Sequence, residues 1–191
     1  MIYIVTGYMR SGTSMMMQAL IAGGLEADYD ERRERMNDNY GDKFYRPNGG
    51  GFYELSYMEY KKENFPLDHE GKLIKALRGG IDQIAPHEYK IVMMLRDPEE
   101  IRQSYEGFFT HGADMYILSD YQNHMDKTIS EMTARDDVDL TVLQYRDVVD
   151  HPKESFQAMK DNGWPIDVGK AAAIVDPDLC RFRLENLVVG L

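Results

Sequence analysis

Cysteine is nearly absent from this chain, and that alone removes one class of protein. A single residue, Cys180, among 191 cannot build an internal disulfide framework, and it suits a reducing compartment. Basic residues are also in deficit, at 22 Lys and Arg against 33 Asp and Glu, for a net charge of −11. A surface of that sign is repelled by phosphate backbones and anionic headgroups, which argues against nucleic-acid or membrane-surface binding. No apolar run approaches 18 residues, so no transmembrane helix is expected. The opening "MIYIVTG" lacks a basic leader and a cleavage site and reads as a strand, so the expected location is cytoplasmic. Thirteen Met and five His show no metal-ligand spacing such as C-x-x-C or H-E-x-x-H, so no metal is expected.

What is present fits one domain over residues 1–191. At 43% hydrophobic content the chain can bury a real core. "IYIVT" is a β-branched run that ends at Gly7, and "TSMMMQALIAGG" is helical in pattern with a Gly23-Gly24 stop. Residues 26–51 are polar and rich in Gly, Asn and Asp, which predicts a mobile connection or lid. "GKLIKALRGG" fits either a strand or one helical turn. "YKIVMMLRD" is near-continuously apolar, as a parallel strand covered on both faces should be. Asp97-Pro98 opens a helix with an N-cap acceptor and a first-turn proline. A long helix is expected around 113–135, then a strand at "DLTVLQY" and helices at "KESFQAMKDNG" and "GKAAAIVD". The alternation predicts a three-layer α/β domain with a mainly parallel sheet.

The first strand runs into "GYMRSGTS", where Gly7 and Gly12 match the G-x-x-x-x-G frame of a phosphate-binding loop. Thr13 stands where a nucleotide hydrolase carries lysine. The frame still holds an anion: glycines allow the turn, backbone N–H groups converge, and the helix N-terminus adds partial positive charge. Ser11, Thr13 and Ser14 offer hydroxyls, and Arg10 offers a guanidinium that can grip two oxygens. Transfer of a γ-phosphoryl group is disfavoured, because it relies on that lysine with Mg²⁺. A plainer reading is an ordinary glycine turn capped by Ser11 or Thr13.

A second cation, Arg96, falls at the carboxyl end of a later strand, where open α/β sheets bind ligands. Ser104 follows on the apolar face that Ile101, Tyr105 and Phe108 mark. The structural alternatives are Ser104 bonded back to the carbonyl of residue 100 and Arg96 paired with Asp97 or Glu99.

Together, "GYMRSGTS" and R-D-P-(x)5-S resemble the sulfotransferase family, and the resemblance implies a P-loop NTPase-like sulfotransferase fold. In that family the first loop holds the 5′-phosphosulfate of 3′-phosphoadenosine 5′-phosphosulfate (PAPS). The second supplies Arg and Ser, here Arg96 and Ser104, to its 3′-phosphate. "VLQYRDVVDHP" is similar to the family's "YEDL…P" segment and puts Tyr145 near the adenine. "VDPDLCRFR" resembles the tail of bacterial and phage-like members. The arginine- and glycine-rich segment that closes over the 3′-phosphate in animal members is missing, and Arg181 and Arg183 are the candidates to replace it. The resemblance implies PAPS as donor, 3′-phosphoadenosine 5′-phosphate (PAP) as product, cofactor-binding roles for Arg10, Ser11, Gly12, Thr13 and Ser14, and a catalytic role for Arg10 in neutralising the leaving 5′-phosphate and sulfonate oxygens.

Transfer to a hydroxyl needs a base. "NGGGFYEL" resembles the "NPxGFYE" segment of bacterial relatives and makes Glu54 the first candidate. His69 is the second, and Lys75 is placed to assist at the sulfonate. The expected acceptor is a small molecule, glycan or lipid, met in a pocket that is open or completed by a homo-oligomer partner. Two other functions fit the same residues: a kinase-like phosphotransferase that draws its lysine from elsewhere, and a non-catalytic nucleotide-binding module.

Overall fold

The computed structural model describes residues 1–32, 34, 51–77, 80–108 and 120–180. Strands β1 (Ile2–Gly7), β2 (Leu73–Lys75), β3 (Tyr89–Leu95) and β4 (Val138–Gln144) form one all-parallel sheet in the order β2-β1-β3-β4. The ambiguous "KLIKAL" segment is a strand of three residues. It is too short for periodicity to identify, but its pairing with β1 (Tyr3↔Leu73, Val5↔Lys75) fixes it.

Helices cover both faces. The α1 (Thr13–Ala22), α5 (Tyr145–Asp150), α6 (Pro152–Asp161) and α7 (Val168–Ala172) helices pack on one side. There Met16, Met17, Leu20, Val148, Phe156 and Trp164 meet Val5, Leu73, Val92 and Met94 of the sheet. The opposite face carries α2 (Phe65–Asp68), α3 (Pro98–Phe108) and α4 (Tyr121–Thr133), with Phe65, Ile101, Met125 and Met132 in its core. The strand residues there are Ile2, Ile4, Ile74, Ile91 and Met93, so alternate side chains of β1 and β3 are buried on both faces. The three-layer α/β architecture with a parallel sheet is thus the one the alternation predicts.

Three details bear on the sequence expectation. Residues 26–28 run beside β2, with the Leu73 amide donating to the Glu26 carbonyl (2.8 Å) and the Asp28 amide to the Leu73 carbonyl (2.9 Å). The start of the expected lid is therefore stitched to the sheet edge, and most of its remainder lies outside the described residues. Tyr145, read as the end of a strand, is the first residue of α5. The fourth helix begins at Tyr121, and residues 113–119 of its expected span lie outside the described residues. Among the described residues no helix is long and apolar enough to cross a membrane.

Candidate anion site at the carboxyl end of the sheet

The chain leaves β1 into the loop 8–12 and enters α1 at Thr13. Two glycines make this possible. Gly7 has φ +147°, and a Cβ there would lie 2.6 Å from the Met94 carbonyl oxygen. Gly12 has φ +96°, and its Cβ would lie 2.3 Å from the Tyr145 ring. Between them Arg10 adopts φ +68°, a left-handed conformation that costs a non-glycine residue about 1–2 kcal/mol. Gly12 is the N-cap of α1, with no side-chain cap and no acid in the first turn. The capping expected of Ser11 or Thr13 is absent: the Ser11 hydroxyl donates to the Tyr8 carbonyl at 2.7 Å and closes the loop on itself. The positive end of α1 is left to the space in front of the loop.

A lysine does reach this space, and it comes from β2. Lys75 is the last residue of that strand and is 3% exposed. Its Nζ donates to Ser14 Oγ (3.0 Å) and to the Phe52 carbonyl (2.6 Å), and lies 3.6 Å from Glu54 Oε1. Burial pushes Lys75 down to about 8, against the opposing pull of Glu54 and Glu34. Glu34 also accepts from the amides of Phe52 (2.5 Å) and Tyr53 (2.8 Å), and Tyr53 has φ +55°. That anchor fixes the backbone that presents Glu54. Beside Glu54 and Lys75 opens a cavity of about 150 Å³, walled by Leu55, Tyr57, Tyr60, Leu77 and Gly80. The hydroxyl of Tyr60, one of the lining residues, is donated to the Lys75 carbonyl at 2.6 Å.

Arg96 follows β3 and is 8% exposed. Its Nε donates to Glu100 Oε2 (3.0 Å), one terminal nitrogen donates to the Arg10 carbonyl (3.1 Å), and its face covers the Tyr145 ring at 4.2 Å. The acid that pairs with it is neither Asp97 nor Glu99. Asp97 Oδ1 instead accepts from the amides of Glu99 (2.8 Å) and Glu100 (3.4 Å), the N-cap expected there, and Glu99 pairs with Arg102. Glu100 takes a second cation, Arg146, at 2.8 Å. Burial pushes the Glu100 carboxyl up, but the bonds from Arg146 and Arg96 outweigh it and leave the group below its usual range. Glu100 and Arg146 were not singled out from the sequence, although Arg96 and Glu100 stand at a helix-like i, i+4 spacing that can signal such a pair.

Ser104 is buried on α3 and does not bond back to residue 100. Its Oγ accepts from Arg10 Nε (3.2 Å) and from the adjacent terminal nitrogen (3.1 Å). Tyr145 is wedged among Gly12, Arg96 and Cys180, and burial pushes its phenol well above the usual value. Arg10, Ser11, Gly12, Thr13, Ser14, Glu54, Lys75, Arg96, Ser104 and Tyr145 are therefore brought to one end of the sheet. His69 is not. It closes α2 before β2 begins, where the Gly71 amide meets the Met1 carbonyl, and its Nδ1 is 2.8 Å from Asp28 Oδ2. The length of the parallel strands separates that end from the loop. Arg181 and Arg183 lie outside the described residues. Among the described residues no group of three or more His, Cys, Asp or Glu is placed to hold a metal ion.

No family model matches the sequence, and no curated protein matches it. Three solved structures are similar in fold. One is a sugar kinase from Janibacter sp., at 14% identity over 91% of this chain and 97% of that one, with TM-score 0.49. Another is a sulfotransferase from Mycobacterium tuberculosis, at 10% identity over 99% and 76%, with TM-score 0.48. The third is a sulfotransferase domain from the curacin biosynthetic pathway, at 13% identity over 96% and 91%, with TM-score 0.46.

Proposed function

We propose that this chain is a transferase that moves a sulfuryl group from PAPS to a hydroxyl or amine acceptor. One observation carries the reading: Lys75 and Glu54 meet 3.6 Å apart at the open end of a loop that has no lysine of its own. The loop amides and Lys75 supply positive charge where the donor's 5′-phosphosulfate would lie. As the S–O bond to the 5′-phosphate breaks, negative charge grows on that phosphate, and donors fixed in advance stabilise it without reorganising. Glu54, beside the cavity, takes the proton from the acceptor as its oxygen or nitrogen attacks sulfur in line. Arg96, just before α3, and Ser104 on it would meet the donor's 3′-phosphate. A sulfuryl group carries less charge than a phosphoryl group, so this set suffices without a metal clamp.

A second reading has one specific observation in its favour. Lys75 Nζ at 3.0 Å from Ser14 Oγ is a lysine delivered to the loop from another strand, as a kinase lacking the loop lysine would need. A thermal-shift comparison of PAP, AMP, ADP and ATP, each with and without Mg²⁺, separates the two. A ligand that binds only the folded state raises the midpoint by mass action. PAP is expected to stabilise the fold without Mg²⁺ and more than AMP does. Stabilisation by ATP that requires Mg²⁺, with PAP inert, would establish the phosphotransferase instead.

A further inference from the structure

We propose that Glu34 is a positioning residue of the transfer site: through the peptide that joins Phe52 to Tyr53 it holds the Lys75 ammonium at the loop. The functional half of this assignment rests on the PAPS reading above. Glu34 Oε2 accepts from the Tyr53 amide at 2.8 Å. The carbonyl of that same peptide, the Phe52 oxygen, accepts from Lys75 Nζ at 2.6 Å. A carboxylate thus binds one end of a single peptide group and an ammonium binds the other. Each charge polarises the group in the sense that strengthens the opposite bond.

The backbone is shaped to this contact. Glu34 Oε1 accepts from the preceding amide, that of Phe52, at 2.5 Å, so two successive N–H groups converge on one carboxylate. Gly51 (φ +109°) and Tyr53 (φ +55°) bracket the turn in left-handed conformations. Glycine alone fits at 51, because a Cβ there would lie 2.5 Å from Glu34 Oε1. Tyr53 is a bulky residue in a conformation such residues rarely adopt, and strain of that kind persists only where the surroundings over-determine it. The surroundings here all come from one stretch of chain. The Tyr29 ring meets the Tyr53 ring edge-on at 5.2 Å, and the Asp30 amide donates to the Glu54 carbonyl at 3.1 Å. The Glu34 amide donates in turn to the Asp30 carbonyl at 3.0 Å. The charge on Lys75 is set by the same surroundings. Burial draws it down to about 8, Glu54 and Glu34 oppose that fall, and Arg10 adds to it. Loss of Glu34 removes a charge that favours the ammonium and releases the carbonyl that fixes it.

The test is the ionisation of Lys75, followed by NMR in protein carrying isotope-labelled lysine, its resonance assigned by its loss in Lys75→Met. Wild type is expected to titrate near pH 8. Glu34→Ala should lower that midpoint and open the Phe52 and Tyr53 amides to fast hydrogen exchange. Glu34→Gln keeps an oxygen at the same reach without the charge, so it should lower the midpoint less and retain part of the amide protection. If Glu34→Ala does not fold, Glu34→Gln decides alone. PAP affinity, measured by calorimetry, reads the functional half. In wild type it should fall about tenfold from pH 7 to pH 9 as one proton leaves Lys75. In Glu34→Gln the fall should begin at lower pH. A Lys75 midpoint, or a PAP profile, that is the same in Glu34→Gln as in wild type overturns the proposal. So does a midpoint that moves while both amides stay as protected as in wild type, since the charge would then act without positioning the peptide. A wild-type protein that does not bind PAP would instead overturn the PAPS reading, with the Lys75 titration still deciding whether Glu34 holds the ammonium.

Discussion

Lys75 Nζ and Ser14 Oγ are 3.0 Å apart although 61 residues separate them in sequence. The contact exists because β2 pairs with β1 in the register Val5↔Lys75, which ends β2 two residues short of Gly7 and leaves Lys75 below the loop. It supplies in space the cation that the loop lacks in sequence. The lysine is also an expense to the fold. A buried ammonium is disfavoured unless its partners compensate, and burial dominates the balance here.

Lys75→Met should therefore separate stability from function. Lys75 is held at about 8, below its ordinary 10.5. Below pH 8 the lysine is charged in both states, and the folded state carries a penalty of about 3 kcal/mol. Between pH 8 and 10.5 the unfolded chain binds more protons than the folded one, so stability rises with pH as the penalty is relieved. The variant has no such term. Urea denaturation at pH 7 and pH 10 should show wild type gaining about 2 kcal/mol relative to Lys75→Met, most of the full penalty, while the variant binds PAP weakly at both. Parallel pH dependences would mean that the ammonium is already fully compensated.

Arg96→Ala tests the buried triad. Removing one partner of a buried ion pair typically costs about 3–5 kcal/mol, because the other charge stays buried. Arg146 still reaches Glu100, so the lower end, about 3 kcal/mol, is expected. Replacing the pair together, as Arg96→Met/Glu100→Leu, should recover most of that loss. A single variant as stable as wild type in denaturant would remove Arg96 from the fold's support.

The sequence revealed the parts of this site that are local. A strand ending in glycine, a second glycine five residues on, and Asp97-Pro98 at a helix start each act within a few residues, and each is where the pattern put it. The pairings that define the site are long-range. Arg10 meets Ser104 across 94 residues, and Lys75 meets Glu54 only because the backbone near Phe52 is held by Glu34. His69 shows the converse. A titratable residue four positions before β2's first residue reads as close to the site, yet strand direction carries it to the far end of the sheet. Periodicity indicates which residues face the core, but it does not say at which end of a strand a side chain meets its partner.

Gly12→Ala and Gly24→Ala make a controlled pair. Both glycines have positive φ, +96° and +110°, so both substitutions carry a backbone penalty of about 1–2 kcal/mol. Only at Gly12 does the new Cβ meet an obstacle, the buried Tyr145 ring at 2.3 Å; nothing lies within 4 Å at Gly24. Gly12→Ala should be clearly the less stable of the two by thermal denaturation and should lose anion binding, because Tyr145 must move from beneath Arg96. Equal losses at the two positions would show that Tyr145 yields without cost.

Glu54→Gln separates the chemistry from the binding. The substitution keeps the size of the side chain and its contact with the Lys75 ammonium through the amide oxygen, but it cannot accept a proton. Removal of a general base typically forfeits about 10²–10⁴ in rate. Donor affinity should hold or rise slightly, since a carboxylate 3.6 Å from Lys75 competes with an incoming anion for the same charge. Turnover should thus collapse on a genuine acceptor while calorimetry returns a PAP affinity at or above that of wild type. A variant that keeps most of its turnover would exclude Glu54 as the base. His69 could not then inherit the role, because it lies at the other end of the sheet, paired with Asp28. Among the described residues beside Glu54, Lys75 is the one burial holds nearest neutrality, at about 8. Glu54 holds the ammonium up, so in the Glu54→Gln protein a rate that climbs with pH below about 8 would identify Lys75 as the base.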